Sequence, residues 1–254
     1  MVLRQEHQQD PIHNLGFSAL AAGISGGATH FPDGTVIVER RALPGIPGRT
    51  VVLWMIRPDS LPHIPDDEPY TCPDETHGDA LHGPTRVSLL ETGTGRIVNT
   101  IEIRDPDRPD SDAFDLPRAI RPGHAYRVDS PDSSRATRPT LLDFRDYTGE
   151  GDSAAFALFE APACMGLQTA LVGYSRRHDR ILQIPVELTV RQGRRAQRRS
   201  SLWLEYGFAR KPVAPGHHVY DVDYTGRGGD HRFFDLRYDR RSGCFRGTCL
   251  LRDR

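Results

Sequence analysis

The stretch RFFDLRYDRRSGCFRGTCLL (232–251) shows the pattern that decides the fold class. Two runs rich in aromatic and aliphatic residues, 232–238 and 244–251, flank DRRSG, whose Gly, Ser and charged residues are typical of a turn. The same pattern recurs further upstream, where RVSLLE (86–91) and RIVNTIEIR (96–104) flank TGTG. Successive hairpins with short turns predict an antiparallel, all-β chain.

About a dozen segments carry this strand signal in all. The others are GTVIVER (34–40), RTVVLWMIR (49–57), HAYRVD (124–129), TLLDFRDY (140–147), AAFALFE (154–160), LQTALVGYS (167–175), RILQIPVELTV (180–190), SLWLEYGF (201–208) and HVYDVDY (218–224). We predict an antiparallel β-sandwich, with a β-barrel as the alternative because sequential hairpins suit both. Its core is expected to contain Trp54, Met55, Trp203, Leu204 and the strand Phe233–Tyr238.

Three regions depart from the strand pattern. The alanine-rich segment DSAAFALFEAPACMGL (152–167) allows one short helix, because it starts with residues that favour a helix N-terminus. The segments 58–85 and 104–123 are rich in Pro and Asp, and we interpret both as long loops. Long loops inside a compact domain are often functional.

Residues 31–254 are predicted to form a single all-β domain. If that domain divides, its halves are 31–129 and 140–254, joined by SPDSSRATRP (130–139). Residues 1–30 are interpreted as a flexible arm or the remnant of a leader, since their weakly apolar run has no basic segment directly ahead. The compartment stays open, with a periplasmic or secreted setting favoured although no clear signal peptide is present.

The charge of the chain is unevenly distributed. The net charge is −1, but residues 1–129 contain 12 basic and 19 acidic residues, and the remainder contains 21 basic and 15 acidic. This balance argues against a nucleic-acid partner. No apolar run is long enough for a membrane span. The two oppositely charged halves favour contact with each other or between copies of the chain.

The four cysteines, Cys72, Cys164, Cys244 and Cys249, do not form a metal-ribbon or redox motif. No Cys-x-x-Cys pair is present, so zinc-ribbon and thioredoxin spacings are excluded. Cys244 and Cys249 are separated by an odd number of residues in a predicted strand, so they face opposite sides and are not expected to pair. A single bridge between Cys72 and Cys164 is the one disulfide left open.

The turn DYTGEGD (146–152) is a candidate calcium site. Asp146, Thr148, Glu150 and Asp152 alternate along it, and the pattern is similar to calcium loops of the form D-x-[DN]-x-[DN]-G. Thr148 stands where a carboxylate or amide is usual, and position twelve carries no acidic residue. These departures favour an ordinary Gly-rich turn with solvated carboxylates over calcium.

A second candidate calcium site is DVDYTG (221–226). Asp221 and Asp223 would share one face of a strand, which suits two ligands of one cation. Arg232 occupies position twelve and would repel that cation. A strand with its polar residues directed to solvent fits the pattern better.

Two further motifs are weaker. Cys72, His77 and His82 fall five residues apart in the segment 59–85, which matches no standard zinc spacing, so a solvent-exposed acidic loop is favoured. GISGG (23–27) matches G-x-S-x-G, but it lacks the strand and helix that a nucleophile elbow requires.

The segment RQGRRAQRR (191–199) is a candidate anion-binding site. Its arginines are Arg191, Arg194, Arg195, Arg198 and Arg199. A helix would place all five on one face, but Gly193 and the flanking strands favour a solvated hairpin connection. Guanidinium groups bind phosphate and carboxylate well, and the acidic half of the same chain is the simplest partner.

For function we expect a non-catalytic β-sandwich module that binds a glycan or protein ligand, with calcium at the Asp-rich turns as an additional stabilising ion. One alternative is a hydrolase acting on a glycan or ester through carboxylates or a metal, with Asp146 and Glu150 as the first pair to examine. The other is a scaffold protein that self-associates through its oppositely charged halves.

Overall fold

The computed structural model describes residues 30–64, 78–104, 113–115, 140–160, 168–224 and 229–252. Within these ranges the chain contains fifteen β-strands and no helix. The strands are β1 (Thr35–Ala42), β2 (Arg49–Ile56), β3 (Asp59–Ile64), β4 (Gly78–Glu91), β5 (Ile97–Ile103), β6 (Ala113–Asp115), β7 (Ala155–Glu160), β8 (Gln168–Ser175), β9 (Arg180–Gln183), β10 (Val186–Gln192), β11 (Arg195–Ser201), β12 (Leu204–Glu205), β13 (His217–Asp223), β14 (His231–Asp239) and β15 (Cys244–Arg252). The prediction of an all-β chain is confirmed.

The strands form three sheets, and none of them closes into a barrel in the described part of the chain. Sheet I has the order β1-β2-β4-β3, with β5 and β6 also paired to β4. Sheet II has the order β12-β8-β7, with β9 paired to β8. Sheet III has the order β11-β10-β15-β14-β13. All pairs are antiparallel except β10 with β15, so the predicted antiparallel β-sandwich is confirmed and the barrel alternative is wrong.

Sheet II is buried on both faces, because it lies between two hydrophobic cores. Ala157 and Phe159 of β7 pack with residues of sheet III, including Phe234 and Phe245. The alternate residue Phe156 packs with residues of sheet I. A strand covered on both sides has a continuous apolar sequence rather than an alternating one.

The strand predicted at AAFALFE (154–160) is confirmed by β7, and the helix allowed within 152–167 is wrong for residues 155–160. The run AAFALFE shows no period of two, because both of its faces are apolar, and such a run is indistinguishable from a buried helix by periodicity. In the structure Ala155–Glu160 pairs along its length with β8. Residues 161–167 lie outside the described part.

The predicted strand 140–147 is also wrong, apart from an isolated bridge between Arg145 and Ala155. The backbone there is held by side chains instead of a ladder. The Glu39 carboxylate on β1 accepts hydrogen bonds from the N–H groups of Leu141 (2.6 Å) and Leu142 (3.3 Å). Arg41 donates to the Leu142 carbonyl oxygen at 2.8 Å.

The loop predictions for 58–85 and 104–123 are wrong where strands occur. β3 and the long strand β4 occupy both ends of the first segment, and β6 lies in the second. The Pro and Asp content misled the prediction, because strand pairing with β4 overrides local propensity there. The central residues 65–77 lie outside the described part, as do the arm 1–29, the segment 124–129 and the linker 130–139.

The predicted core residues are largely confirmed. Met55 and Leu204 are buried, and Trp54 is buried in a small cluster on the other face of sheet I. Trp203 is half-buried against the core between sheets I and II. Phe233 is only half-buried, because it lies on the outer face of sheet III, whereas Phe234 on the inner face is buried.

Cys244 and Cys249 are buried free thiols, which confirms that they do not pair. Burial raises the pKa of Cys249, so its thiol stays protonated at neutral pH. Cys72 and Cys164 lie outside the described residues.

Candidate functional site

The candidate anion-binding arginines lie on a regular β-hairpin, so the helical alternative is wrong. β10 and β11 pair antiparallel over seven consecutive positions, from Val186 opposite Ser201 to Gln192 opposite Arg195. The two-residue loop Gly193-Arg194 connects them, and Gly193 has a φ of +54°. A glycine with positive φ at the first loop position is typical of a type II′ turn. We call the segment 186–201 the arginine hairpin.

The hairpin displays arginines on both of its faces. Arg198 lies opposite Thr189, and Arg191 lies opposite Ala196, which places these two arginines on the outer face of sheet III. Arg199 lies opposite Leu188, whose side chain packs against the core, so Arg199 is on the other face, as is Arg195. All seven residues of β11 are nevertheless exposed.

None of the five arginines of the hairpin forms an ion pair with a described carboxylate. Several other arginines of the described chain are held by carboxylates, as Arg49 is by Asp179 and Arg86 is by Glu102. The only acidic residue of the hairpin, Glu187, already accepts from Arg246 at 2.8 Å. With respect to the described part of the chain, the hairpin is therefore a concentrated positive surface without paired carboxylates on its five arginines.

The Asp146 turn is closed by its own backbone. One oxygen of the Asp146 carboxylate accepts from the Gly149 N–H at 2.7 Å and the Glu150 N–H at 3.2 Å. The other oxygen accepts from the Gly151 N–H at 2.9 Å. Because the carboxylate satisfies backbone donors, the geometry is that of an Asx-type turn.

Close packing against a second turn explains why glycine occupies position 149. A Cβ on Gly149 would lie within 2.4 Å of the Pro215 carbonyl carbon, and φ at Gly149 is +73°. A Cβ on Gly216 would lie within 2.3 Å of the Thr148 carbonyl oxygen. The two turns therefore meet backbone to backbone, and only glycine allows that approach.

The other candidate metal ligands are not gathered around one point. Glu150 lies 3.5 Å from Arg240, and Asp152 lies 2.7 Å from Arg176. Thr148 donates its hydroxyl to Asp146 at 3.4 Å. In the described part of the chain, no group of three or more His, Cys, Asp or Glu side chains is placed to hold a metal ion.

Asp221 and Asp223 both lie on exposed positions of β13, as the strand pattern predicts. Asp221 lies 3.2 Å from His231 on the neighbouring strand β14. A similar pair forms between His217 and Asp235 at 2.9 Å. Calcium at either Asp-rich turn stays a prediction.

The remaining motifs lie partly or wholly outside the residues that the structure describes. Cys72 and His77 lie outside the described residues, as does the GISGG segment. His82 belongs to β4, where its backbone pairs with Asp59 and Asp115.

A polar cluster that the sequence did not predict lies between sheets II and III. Glu205 accepts from the Tyr224 hydroxyl at 2.6 Å and from Arg232 at 2.8 Å. Burial and the bond to Glu205 raise the pKa of Tyr224. Tyr206, next in the chain, has a φ of +53°. Glu205 lies on β12, Tyr224 directly follows β13 and Arg232 lies on β14, so only the packing of β12 against the β13–β14 hairpin brings the three together.

The sequence also did not predict the buried aromatic environment of His218. Its ring is buried, and Nε2 lies 3.2 Å from the Tyr147 carbonyl oxygen, to which it donates. Nδ1 has no hydrogen-bond partner in the structure. The rings of Tyr147, Phe208 and Phe245 surround it. Burial lowers the pKa of His218.

No family model matches the chain, and no curated protein or solved structure matches it at a significant level. The described residues contain no helix long and apolar enough to cross a membrane.

Proposed function

We propose that this protein is a non-catalytic interaction module that binds an acidic protein ligand through the arginine hairpin. The observation that supports this proposal is the set of five arginines without a carboxylate partner among the described residues, on a hairpin whose outer strand is fully exposed. The hydrolase and scaffold alternatives stay predictions, since no described geometry favours either of them.

Carboxylates are ligand groups that suit this surface. Guanidinium groups donate in a planar fork that matches a carboxylate, and they are less strongly hydrated than ammonium groups. Arg195, Arg198 and Arg199 lie within five residues of one strand and repel one another. An acidic ligand replaces that repulsion by attraction, although each exposed pair contributes only about 0.2–1 kcal/mol. The proposal therefore requires several simultaneous contacts and strong dependence on salt.

Binding of poly-L-glutamate, followed by isothermal titration calorimetry at low and high salt, tests this function. The triple variant Arg195→Gln, Arg198→Gln, Arg199→Gln is expected to bind roughly tenfold more weakly, as the loss of about 1.4 kcal/mol would give. Raising the salt to about 1 M, where the Debye length is about 3 Å, should remove most of the binding by wild-type protein.

The matched control removes three exposed arginines outside the hairpin, through Arg40→Gln, Arg210→Gln and Arg237→Gln. Both triple variants have the same net charge, so only the position of the charge differs. Equal loss of affinity in the two variants would reduce the effect to net charge and contradict a site on the hairpin.

A further inference from the structure

We infer that the ligand of the arginine hairpin is an extended acidic segment that adds as a strand to the free edge of β11. This inference rests on the proposed function and specifies its partner. The added segment would extend sheet III by one strand beyond β11, through main-chain hydrogen bonds. The arginines would select its acidic side chains.

The position of β11 in sheet III leaves main-chain groups available for an added strand. β11 is the terminal strand of sheet III, so it has one edge whose N–H and C=O groups are not used by β10. Its pairing with β10 runs through seven positions without a bulge, and it contains no proline. Among the strands whose side chains are described, β11 is the one in which every residue is exposed.

The edge strand β1 of sheet I shows how this chain covers a different edge. A register shift interrupts β1 between Ile37 and Glu39. The carboxylate of Glu39 then holds the N–H groups of Leu141 and Leu142, so another chain segment already lies against this strand. β11 has neither an interruption nor such a segment among the described residues. Its distinguishing feature as an edge strand is its exposed arginines.

Those arginines determine the occupant. Because side chains alternate along a strand, an added segment places successive residues on the two faces of sheet III. Arg195 and Arg199 lie on one face and Arg198 on the other, so acidic residues at both kinds of position meet a guanidinium. Directly opposed side chains in neighbouring strands have Cβ atoms about 4.5–5.5 Å apart, close enough for ion pairs. A second β11 strand would instead oppose arginine with arginine.

The experiment compares two synthetic peptides with the repeat Glu-Glu-Thr, which places Glu on both faces of an added strand. The two peptides have the same sequence and charge. One is unmodified, and the other is N-methylated at every central residue, so that neither of its edges can donate hydrogen bonds. We expect N-methylation to weaken binding at least about tenfold, and the unmodified peptide to slow amide hydrogen exchange in β11. Modifying the peptide rather than the protein avoids any effect on folding.

The outcomes separate this inference from the function on which it rests. If both peptides bind equally well and the Arg→Gln triple variant still weakens binding, the hairpin binds acidic ligands without strand addition, and only the inference is overturned. If neither peptide nor poly-L-glutamate binds at low salt, the proposed function fails as well. Formation of a dimer protected at β11, without peptide, would overturn the assignment of an acidic occupant.

Discussion

Asn99 on β5 hydrogen-bonds both backbone polar groups of Ile181 on β9. Its side-chain N–H donates to the Ile181 carbonyl oxygen at 2.9 Å, and its side-chain oxygen accepts from the Ile181 N–H at 3.1 Å. One buried amide therefore joins sheet I to sheet II in the manner of a strand pair. The two residues lie on opposite sides of the segment 130–139, so this bond connects the N-terminal and C-terminal parts of the chain.

Asn99→Ala should destabilise the protein by about 2–6 kcal/mol. The substitution leaves a buried N–H and a buried C=O without partners, and each such group costs about 1–3 kcal/mol. Urea unfolding followed by circular dichroism measures the change. Gln197→Ala removes an exposed amide from β11 and serves as the control, with an expected change within about 0.5 kcal/mol. A similar small change for both variants would show that water replaces Asn99.

Gly149→Ala should be more destabilising than Gly151→Ala. Both glycines have positive φ, at +73° and +79°, so each alanine incurs a left-handed backbone cost of about 1–2 kcal/mol. Only at Gly149 does the new Cβ meet backbone, at Pro215 and Gly216, whereas nothing lies within 4 Å at Gly151. The difference between their unfolding free energies measures the close approach of the two turns. Equal values would mean that the Pro215 turn moves away freely.

Asp146→Ala should lower Tm to the same extent with EDTA and with millimolar Ca²⁺. The lost carboxylate leaves three backbone N–H donors of the turn to water, at a cost of about 1–2 kcal/mol because the turn is partly exposed. Thermal melts of wild-type protein and the variant, each with and without Ca²⁺, provide the measurement.

Wild-type melts with Ca²⁺ also test the calcium interpretation of this turn. A ligand at 100 times its dissociation constant adds about 2.7 kcal/mol. A rise in wild-type Tm with Ca²⁺ that disappears in Asp146→Ala would establish a calcium site and contradict the purely structural role.

The stability of the protein should fall as the pH drops below about 6.5. His218 has a folded-state pKa below its usual 6.5, because burial disfavours the charged ring. The unfolded chain therefore binds a proton that the folded chain does not, and stability is lost from the unfolded pKa down to the folded one. For this one group the slope between those two values is at most about 1.4 kcal/mol per pH unit.

His218→Phe should flatten that part of the pH profile, since phenylalanine fits among aromatic rings and does not titrate. The control His178→Phe replaces an exposed histidine and should leave the slope unchanged. Urea unfolding between about pH 5 and about pH 7.5, on both sides of the usual histidine pKa, gives the slopes. If His218→Phe retains the wild-type slope, other groups control the acid sensitivity.

The strands and turns predicted from the sequence are correct where they depend on residues close together in the chain. The segment 232–251 forms β14, a short turn and β15, because turn residues and flanking aromatic runs act over a few neighbours. At 154–160 the strand prediction is correct and only the helix allowed there is wrong, although burial on both faces removes the alternation that marks a strand. The strand prediction failed at 140–147, where the carboxylate of Glu39, a residue far away in the chain, replaces the partner strand.

The same distinction applies to the candidate sites. The all-β class, the hairpin turns and the density of arginines at 191–199 could be predicted from the sequence, since each depends on residues close together in the chain. The tertiary structure alone decided that β11 is an edge strand, that Asp146 faces its own backbone, and that Glu205, Tyr224 and Arg232 meet. Those relationships depend on which strands pair and which faces become buried, and these are set by contacts between residues far apart in the sequence.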